Sequence, residues 1–479
     1  MALVKNSVLN LFPSIFGMAV SIVTVPLYIS IVGTERYGGL LLALVLLGYF
    51  GQADFGLGRA LTQRLSSMRD ATAADRASVV WSALAGAGVI SLFGGLLVYL
   101  VAAIFFTSYF DAGPALRNEV LSSVWLFALC VPVIMLTGVT SGALTGLERF
   151  GVVSVGTTVG NLLSQVLPLL VAMVFSVQFG WLLAASILGR LTGLVPLVVS
   201  MAAVFLRHHP VNLSFEQLRR LFSFGSWVMV TAIVSPLMTM ADRVVIGAVL
   251  GAGAVVAYSV PVQIAVRTVM FPMAIVQALF PRFASRDDDE AARLGKSSVV
   301  LIAQLYGLMV IGFICLTAPL LQLWLGDKLD NRSILVGQIT FIGVWVNALA
   351  SVPFALIQAR GNSRFTALLH VLELPVYGAM LYGFGLSMGL YGVAWAFTLR
   401  VILDCGALFY KAEIVDARVL TRLVGPAILI SIAFAASPWM QDWFSGLVGA
   451  SILCASLLVI MWFQLPCEAR DWMNRRIRR

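Results

Sequence analysis

Three arginines lie where an arginine is hardest to keep. Arg190, Arg267 and Arg400 each fall within a few residues of the centre of a long apolar stretch. A charge at such a depth costs about 2.5–3.5 kcal/mol on insertion scales. A guanidinium fork matches phosphate oxygens bidentately, so one reading is a water-filled cavity whose cationic wall receives an anionic group. The competing reading is neutralisation by a buried acid, and Asp404 stands four residues from Arg400, the spacing of a helical ion pair. Glu373 has His370 three residues before it on the same helical face. Because histidine changes charge near neutral pH, that pair suits a coupling proton, with a structural hydrogen bond as the alternative.

A second set is less central. In "MTMADRVVIGAVL", Asp242 and Arg243 sit about 10 Å beyond the middle of their segment at 1.5 Å per residue. Adjacent helical positions point about 100° apart, so the two are expected to find separate partners. Asp242 reads as an inter-helix tie or gate and Arg243 as a peripheral cavity residue. Asp54 and Arg59, near the end of the second segment, are further gate or coupling candidates. The run "RDDDEAARLGK" (286–296) reads as an acidic helix start rather than a cation site. The five cysteines are scattered singly, with neither metal spacing nor a disulfide framework. No catalytic set and no metal-ligand set emerges.

These residues must be positioned by membrane helices. Of 479 residues, 60% are hydrophobic and 11% charged, against about 25% charged in a soluble protein. Apolar segments recur near 21, 47, 91, 132, 165, 192, 235, 267, 311, 346, 375, 399, 432 and 456, each long enough to cross a bilayer as a helix. The chain therefore reads as an all-α polytopic membrane protein of about 14 transmembrane helices. With both termini cytoplasmic, 23 of the 31 basic residues fall on the cytoplasmic face and four on the other. The net charge of +9 is then mostly orientation bias, not a nucleic-acid footprint. The connecting loops are too short to build an enzyme's pocket outside the membrane.

The chain also repeats itself. A shift of 218 places "GTERYGG" at Gly33 on "GAGAVVA" at Gly251, and "ALTQRLSS" on "ALFPRFAS". "TGLERF" falls on "RGNSRF" after a shift of 215, and Arg190 on Arg400 after 210. Matches at loops and charges, in order, predict two six-helix lobes related by a pseudo-two-fold axis along the membrane normal. The N-terminal lobe is residues 1–206, and 207–221 form a cytoplasmic hinge in which Ser214 and Gln217 begin an amphipathic turn. The C-terminal lobe is 222–411, and 412–479 add two helices and a basic tail. About a dozen prolines inside the segments suit bent, moving helices.

"DFGLGRALTQRLSS", "GALTGLERFG" and "DRVVIGAVLGAGAVVAYSV" resemble the polysaccharide exporters of the multidrug/oligosaccharidyl-lipid/polysaccharide superfamily, which include the bacterial O-antigen flippases. The resemblance covers essentially the whole chain. It implies a flippase of the bacterial inner membrane that moves an undecaprenyl-pyrophosphate-linked oligosaccharide to the outer leaflet by alternating access. Its expected partners are the lipid-linked substrate, the bilayer and the polysaccharide polymerase or export machinery, with the protein itself monomeric. No cofactor is expected beyond a coupling proton or sodium ion. A flippase of peptidoglycan precursor (lipid II) and a cation-coupled multidrug extruder of the same superfamily are the alternatives. The extruder is expected to have an acid-lined cavity, which three central arginines oppose.

Overall fold

In hydrocarbon no water replaces a lost backbone hydrogen bond, so an apolar segment is driven to satisfy its own N–H and C=O groups as a helix. The computed structural model describes residues 20–52, 57–68, 71–207, 209–219, 238, 240–285 and 287–464, and these contain helices and no strand. The helices are α1 (Val20–Ile31), α2 (Thr34–Gln52), α3 (Leu57–Ser67), α4 (Ala73–Ser108), α5 (Pro114–Ser122), α6 (Trp125–Gly146), α7 (Phe150–Val174) and α8 (Phe179–Met201). After α9 (240–249) come α10 (Ala252–Thr268), α11 (Met270–Ser285), α12 (Asp288–Leu325), α13 (Arg332–Ala359), α14 (Ser363–Ala412), α15 (Ala417–Ala436) and α16 (Trp443–Gln464).

Among the described residues ten helices are long and apolar enough to cross a membrane. The all-α polytopic fold follows. The expected segment centred at 235 lies mostly outside the described residues. Two expected segments, at 375 and 399, run together as α14. Gly389, at φ 60° and ψ −137°, breaks that helix into two arms, a conformation open to glycine and strained for other residues.

The repeat is visible in backbone geometry. The turn between α1 and α2 places Gly33 at φ 87°, and the turn between α9 and α10 places Gly251 at the same φ. Each is preceded by the same helical bond, Val32 N–H to Tyr28 O and Leu250 N–H to Ile246 O. α6 and α13 both end on a left-handed residue, Glu148 and Gly361. In both, the next amide reaches back to close a six-residue turn, Arg149 to Leu144 O and Asn362 to Ile357 O.

The helix starts follow their local sequence. Asp287 accepts from the Glu290 amide at 2.7 Å, which makes the acidic run the helix start it resembles. Ser214 accepts from the Gln217 amide and opens a one-turn helix at 215–219. The linker before it is tied to α4, because Ser78 donates to Asn212 O and the Ser214 amide donates to Ser82 Oγ.

Packing divides the chain into two compact units, Met1–Val256 and Ala257–Arg479. The lobe boundary at 207–221 rests on repeat symmetry, whereas the unit boundary rests on packing and leaves α9 with the first unit. In the second unit α12 packs along α13, α15 and α16, and Trp345 Nε1 donates across to Ala303 O at 3.1 Å.

At the end of the first unit formed by α5, Arg36 grips Glu119 through two hydrogen bonds of 2.7 and 3.1 Å. Glu119 also accepts from the Phe179 amide at 3.0 Å. The Arg36 hydrogen bond, with the Phe179 amide, holds its carboxyl below the usual value of 4.5. A depressed folded value means stability that is present above pH 4.5 and lost as pH falls through the folded value. Thermal unfolding followed from about pH 6 to pH 3 is expected to show a smaller acid loss in Glu119→Gln than in the wild type.

Candidate functional site

Two polar sites stand out, one in each unit. The first is built on α6, α7 and α8. α7 carries Gly156, Gly160 and Ser164 at four-residue steps, and α8 carries Gly189 and Gly193. These small residues let the two backbones approach, as in close-packed membrane helix pairs. A Cβ on Gly193 would collide with Gly160 Cα and Gly156 O, and one on Gly189 with the backbone of Leu163 and Ser164. The close approach sets Arg190 beside a cavity of about 490 Å³, lined also by Thr137, Ser141, Thr157 and Asn161.

No carboxylate among the described residues lines this cavity. Among the described residues, Arg190 has neither an ion pair nor a hydrogen bond, and Ser141 Oγ is buried without a partner. An uncompensated cation with convergent hydroxyl and amide groups is the composition of an anion site. The sequence supplied Arg190. The rest shows in the sequence only as polar pairs four residues apart in apolar helices, Thr137 and Ser141 on α6 and Thr157 and Asn161 on α7, a pattern that does not by itself mark a cavity.

The second site lies across the α14 hairpin. The Gly389 break folds the arms together, so that Glu373, sixteen residues before it, stands level with Asp404, fifteen after. Ligand atoms of His370, Glu373 and Asp404 lie within 4.8 Å of one another. Arg400 does not pair with Asp404, as its spacing suggested; its Nε lies 4.0 Å from Glu373 Oε2. Its guanidinium also sits 5.5 Å from the centre of the Tyr377 ring, a cation–π distance. The reason is geometric: the facing arm offers Glu373 to the Arg400 side chain, while Asp404 turns to His370 Nε2 at 4.0 Å. His370 stacks on Phe354, with ring centres 5.8 Å apart. Both Glu373 oxygens, Asp404 Oδ1 and Arg400 Nε are buried without a hydrogen bond. The cluster thus holds two carboxylates against one arginine.

The remaining candidates fall elsewhere. Arg267 is half-buried near the end of α10, in the second unit. Asp54 lies outside the described residues; Arg59 lies on α3, but its side chain is not among those described. Asp242 and Arg243 correct the expectation that they do not face each other. Arg243 Nη1 lies 3.3 Å from Asp242 Oδ1, and the same oxygen accepts from the Arg243 amide at 2.7 Å. The physical reason is reach: burial leaves Asp242 only 4% exposed, and a long arginine stem bridges the turn between neighbouring positions.

A family model for polysaccharide biosynthesis proteins matches residues 3–287, more than half of the chain. The chain belongs to that family. A Shigella flexneri protein named as an O-antigen transporter is 30% identical to this chain over 410 residues, covering 84% of this chain and 96% of that one. Among solved structures, a lipid II flippase, MurJ, in an inward closed conformation, matches with a TM-score of 0.74. It is 14% identical and covers 98% of this chain and all of that one. An inward-facing multidrug resistance transporter of the MATE family matches at 0.64, with 15% identity, covering 87% of this chain and 96% of that one. These two likenesses concern the fold. With ten helices among its described residues long and apolar enough to cross a membrane, the chain is a multi-pass membrane protein of the polysaccharide biosynthesis family.

Proposed function

We propose that the protein translocates an undecaprenyl-pyrophosphate-linked oligosaccharide from the cytoplasmic to the outer leaflet of the bacterial inner membrane. It does so by alternating access, with both termini in the cytoplasm, and hands its cargo to polysaccharide polymerase or export machinery. The observation that carries this reading is the Arg190 cavity, a half-buried cationic site with the unpartnered Ser141 hydroxyl and the Asn161 amide beside it and no acid among the described residues. Such a site receives a pyrophosphate and repels a cationic drug. A lipid II flippase would bind a similar anion; the extended similarity to a transporter named for O-antigen favours the polysaccharide cargo. Arg267 is a secondary anion contact in the same proposal, whereas Arg400, set against Glu373, belongs with the acidic cluster. The His370, Glu373 and Asp404 cluster is the coupling site for a proton or a sodium ion, since its excess carboxylate needs a positive partner. Asp242 and Arg243 serve as a tie near the start of α9.

The test is binding of inorganic pyrophosphate to the protein in nanodiscs by calorimetry. Arg190→Ala is expected to weaken binding at least tenfold, and Arg190→Lys by less, because a point charge replaces a fork. Wild-type affinity in Arg190→Ala, in folded protein, would sink the assignment.

A further inference from the structure

A second pocket is built on two of the helices that form the Arg190 cavity, α6 and α8. Its volume is about 370 Å³, within the range of small-molecule sites. It is lined by Trp125 at the start of α6, Trp181 and Gln178 at the start of α8, and Ser122 and Glu119 from α5. On α6, Leu126 of this pocket and Val133, Thr137 and Ser141 of the arginine cavity recur at seven- and four-residue steps. They form one stripe of that helix. On α8, Ala184 of the pocket precedes Arg190 of the cavity. The stations are eleven residues apart on α6 (Leu126 to Thr137) and six on α8 (Ala184 to Arg190), about 16 and 9 Å along the helices.

The pocket has the chemistry of a sugar site. A pyranose presents an apolar face of C–H bonds and a rim of hydroxyls, so it is held by a flat aromatic ring with polar groups at its edge. Trp125 and Trp181 are 57% and 51% exposed. Phe175 braces Trp181 edge-on, with centres 4.9 Å apart and planes at 83°, which fixes the ring. The Gln178 amide is exposed and makes no side-chain hydrogen bond among the described residues, so it offers a donor and an acceptor. Ser122 gives its proton to Glu119 O at 2.9 Å and keeps lone pairs free. Glu119 itself is fixed and ionised by Arg36. Gly180 lets the start of α8 close against Ser123 as one wall, because a Cβ there would strike the Ser123 hydroxyl. Tryptophans at a membrane interface often only anchor the helix in the headgroup region. Anchoring requires neither a braced ring nor a pocket shared with Gln178 and a fixed carboxylate.

We infer that the Trp125–Trp181 pocket is a glycan subsite that stacks a pyranose of the transported oligosaccharide, a short reach along α6 and α8 from the phosphate held at Arg190. The inference rests on the anion reading of Arg190, and it assigns the pocket the sugar chain rather than the lipid headgroup.

The test uses the source organism with its chromosomal copy deleted, measuring surface polysaccharide and membrane protein levels, alongside pyrophosphate binding in nanodiscs. The double variant Trp125→Ala/Trp181→Ala is expected to lower export at least tenfold at equal protein level. Trp125→Phe/Trp181→Phe, which keeps aromatic faces, is expected to retain at least half. Trp125→Leu/Trp181→Leu, which keeps an apolar anchor without a ring, is expected to fail like the alanine variant. Pyrophosphate affinity is expected to be unchanged in all three. Wild-type export by the alanine or leucine double variant would overturn the subsite. Loss of pyrophosphate binding in the tryptophan variants would also overturn it, as a sign of general damage. Failure of Arg190→Ala to lose pyrophosphate binding would instead strike the earlier reading alone.

Discussion

Arg400→Ala is expected to be among the most damaging single truncations in the second unit. It removes the one cation that faces the buried carboxylates Glu373 and Asp404 among the described residues. Side-chain exposures there are 13% for Arg400, 11% for Glu373 and 6% for Asp404, so water does little to take its place. Breaking a buried pair from one side costs about 3–5 kcal/mol, because the other charge stays behind unpaired. Thermal unfolding of the purified protein in detergent, with membrane protein level as a second readout, should show that loss. Arg400→Ala/Glu373→Gln should recover most of it, since the double change removes one charge of each sign. Arg400→Lys should lie between, keeping the charge and losing the guanidinium placed 5.5 Å from the Tyr377 ring centre. Arg400→Ala unfolding like the wild type would show that the 4.0 Å approach to Glu373 is incidental. Export separates the roles further. If Glu373 belongs to the coupling site, the double variant folds and yet fails to export.

Much of this fold is legible in the sequence because its strongest determinants are local. Apolar length, helix-starting acids at Asp287, the Ser214–Gln217 turn and the glycine turns at Gly33 and Gly251 are written within a few residues of where they act. The charge partners are less legible. Spacing alone points Arg400 at Asp404 one turn away, but side chains on a hairpin also meet the opposite arm, and that register depends on where Gly389 breaks the helix. Helical geometry sets Asp242 and Arg243 apart, yet it takes no account of how far a long arginine stem curls back to a buried neighbour. The neutral half of the Arg190 cavity is hidden for a different reason. Threonine and serine in a membrane helix commonly bond back to their own backbone, as Thr137 does to Val133 O, so their presence alone does not mark a cavity.

The sharpest structural determinant of that cavity is a hydrogen atom, the missing side chain of Gly193. A Cβ at this position would be driven into Gly160 Cα and N and into Gly156 O. All three are backbone atoms and cannot swing aside as a flexible side chain would. Gly193→Leu is therefore expected to wedge α7 from α8 and destabilise the protein by about 1–3 kcal/mol or more, the range of overpacked cores. Because Arg190 lies one turn before Gly193 and Asn161 directly after Gly160, the same displacement separates the cation from its polar partners. Pyrophosphate binding should fall along with stability. Gly312→Ala in α12 is the counterpart of opposite sign. Nothing lies within 4 Å of the place its methyl group would take, and replacing a helical glycine by alanine gains about 0.5–1 kcal/mol. Unfolding midpoints should therefore move down for Gly193→Leu and up or nowhere for Gly312→Ala, with anion binding lost only in the first. Equal behaviour of the two would mean that the α7–α8 approach does not build the anion site.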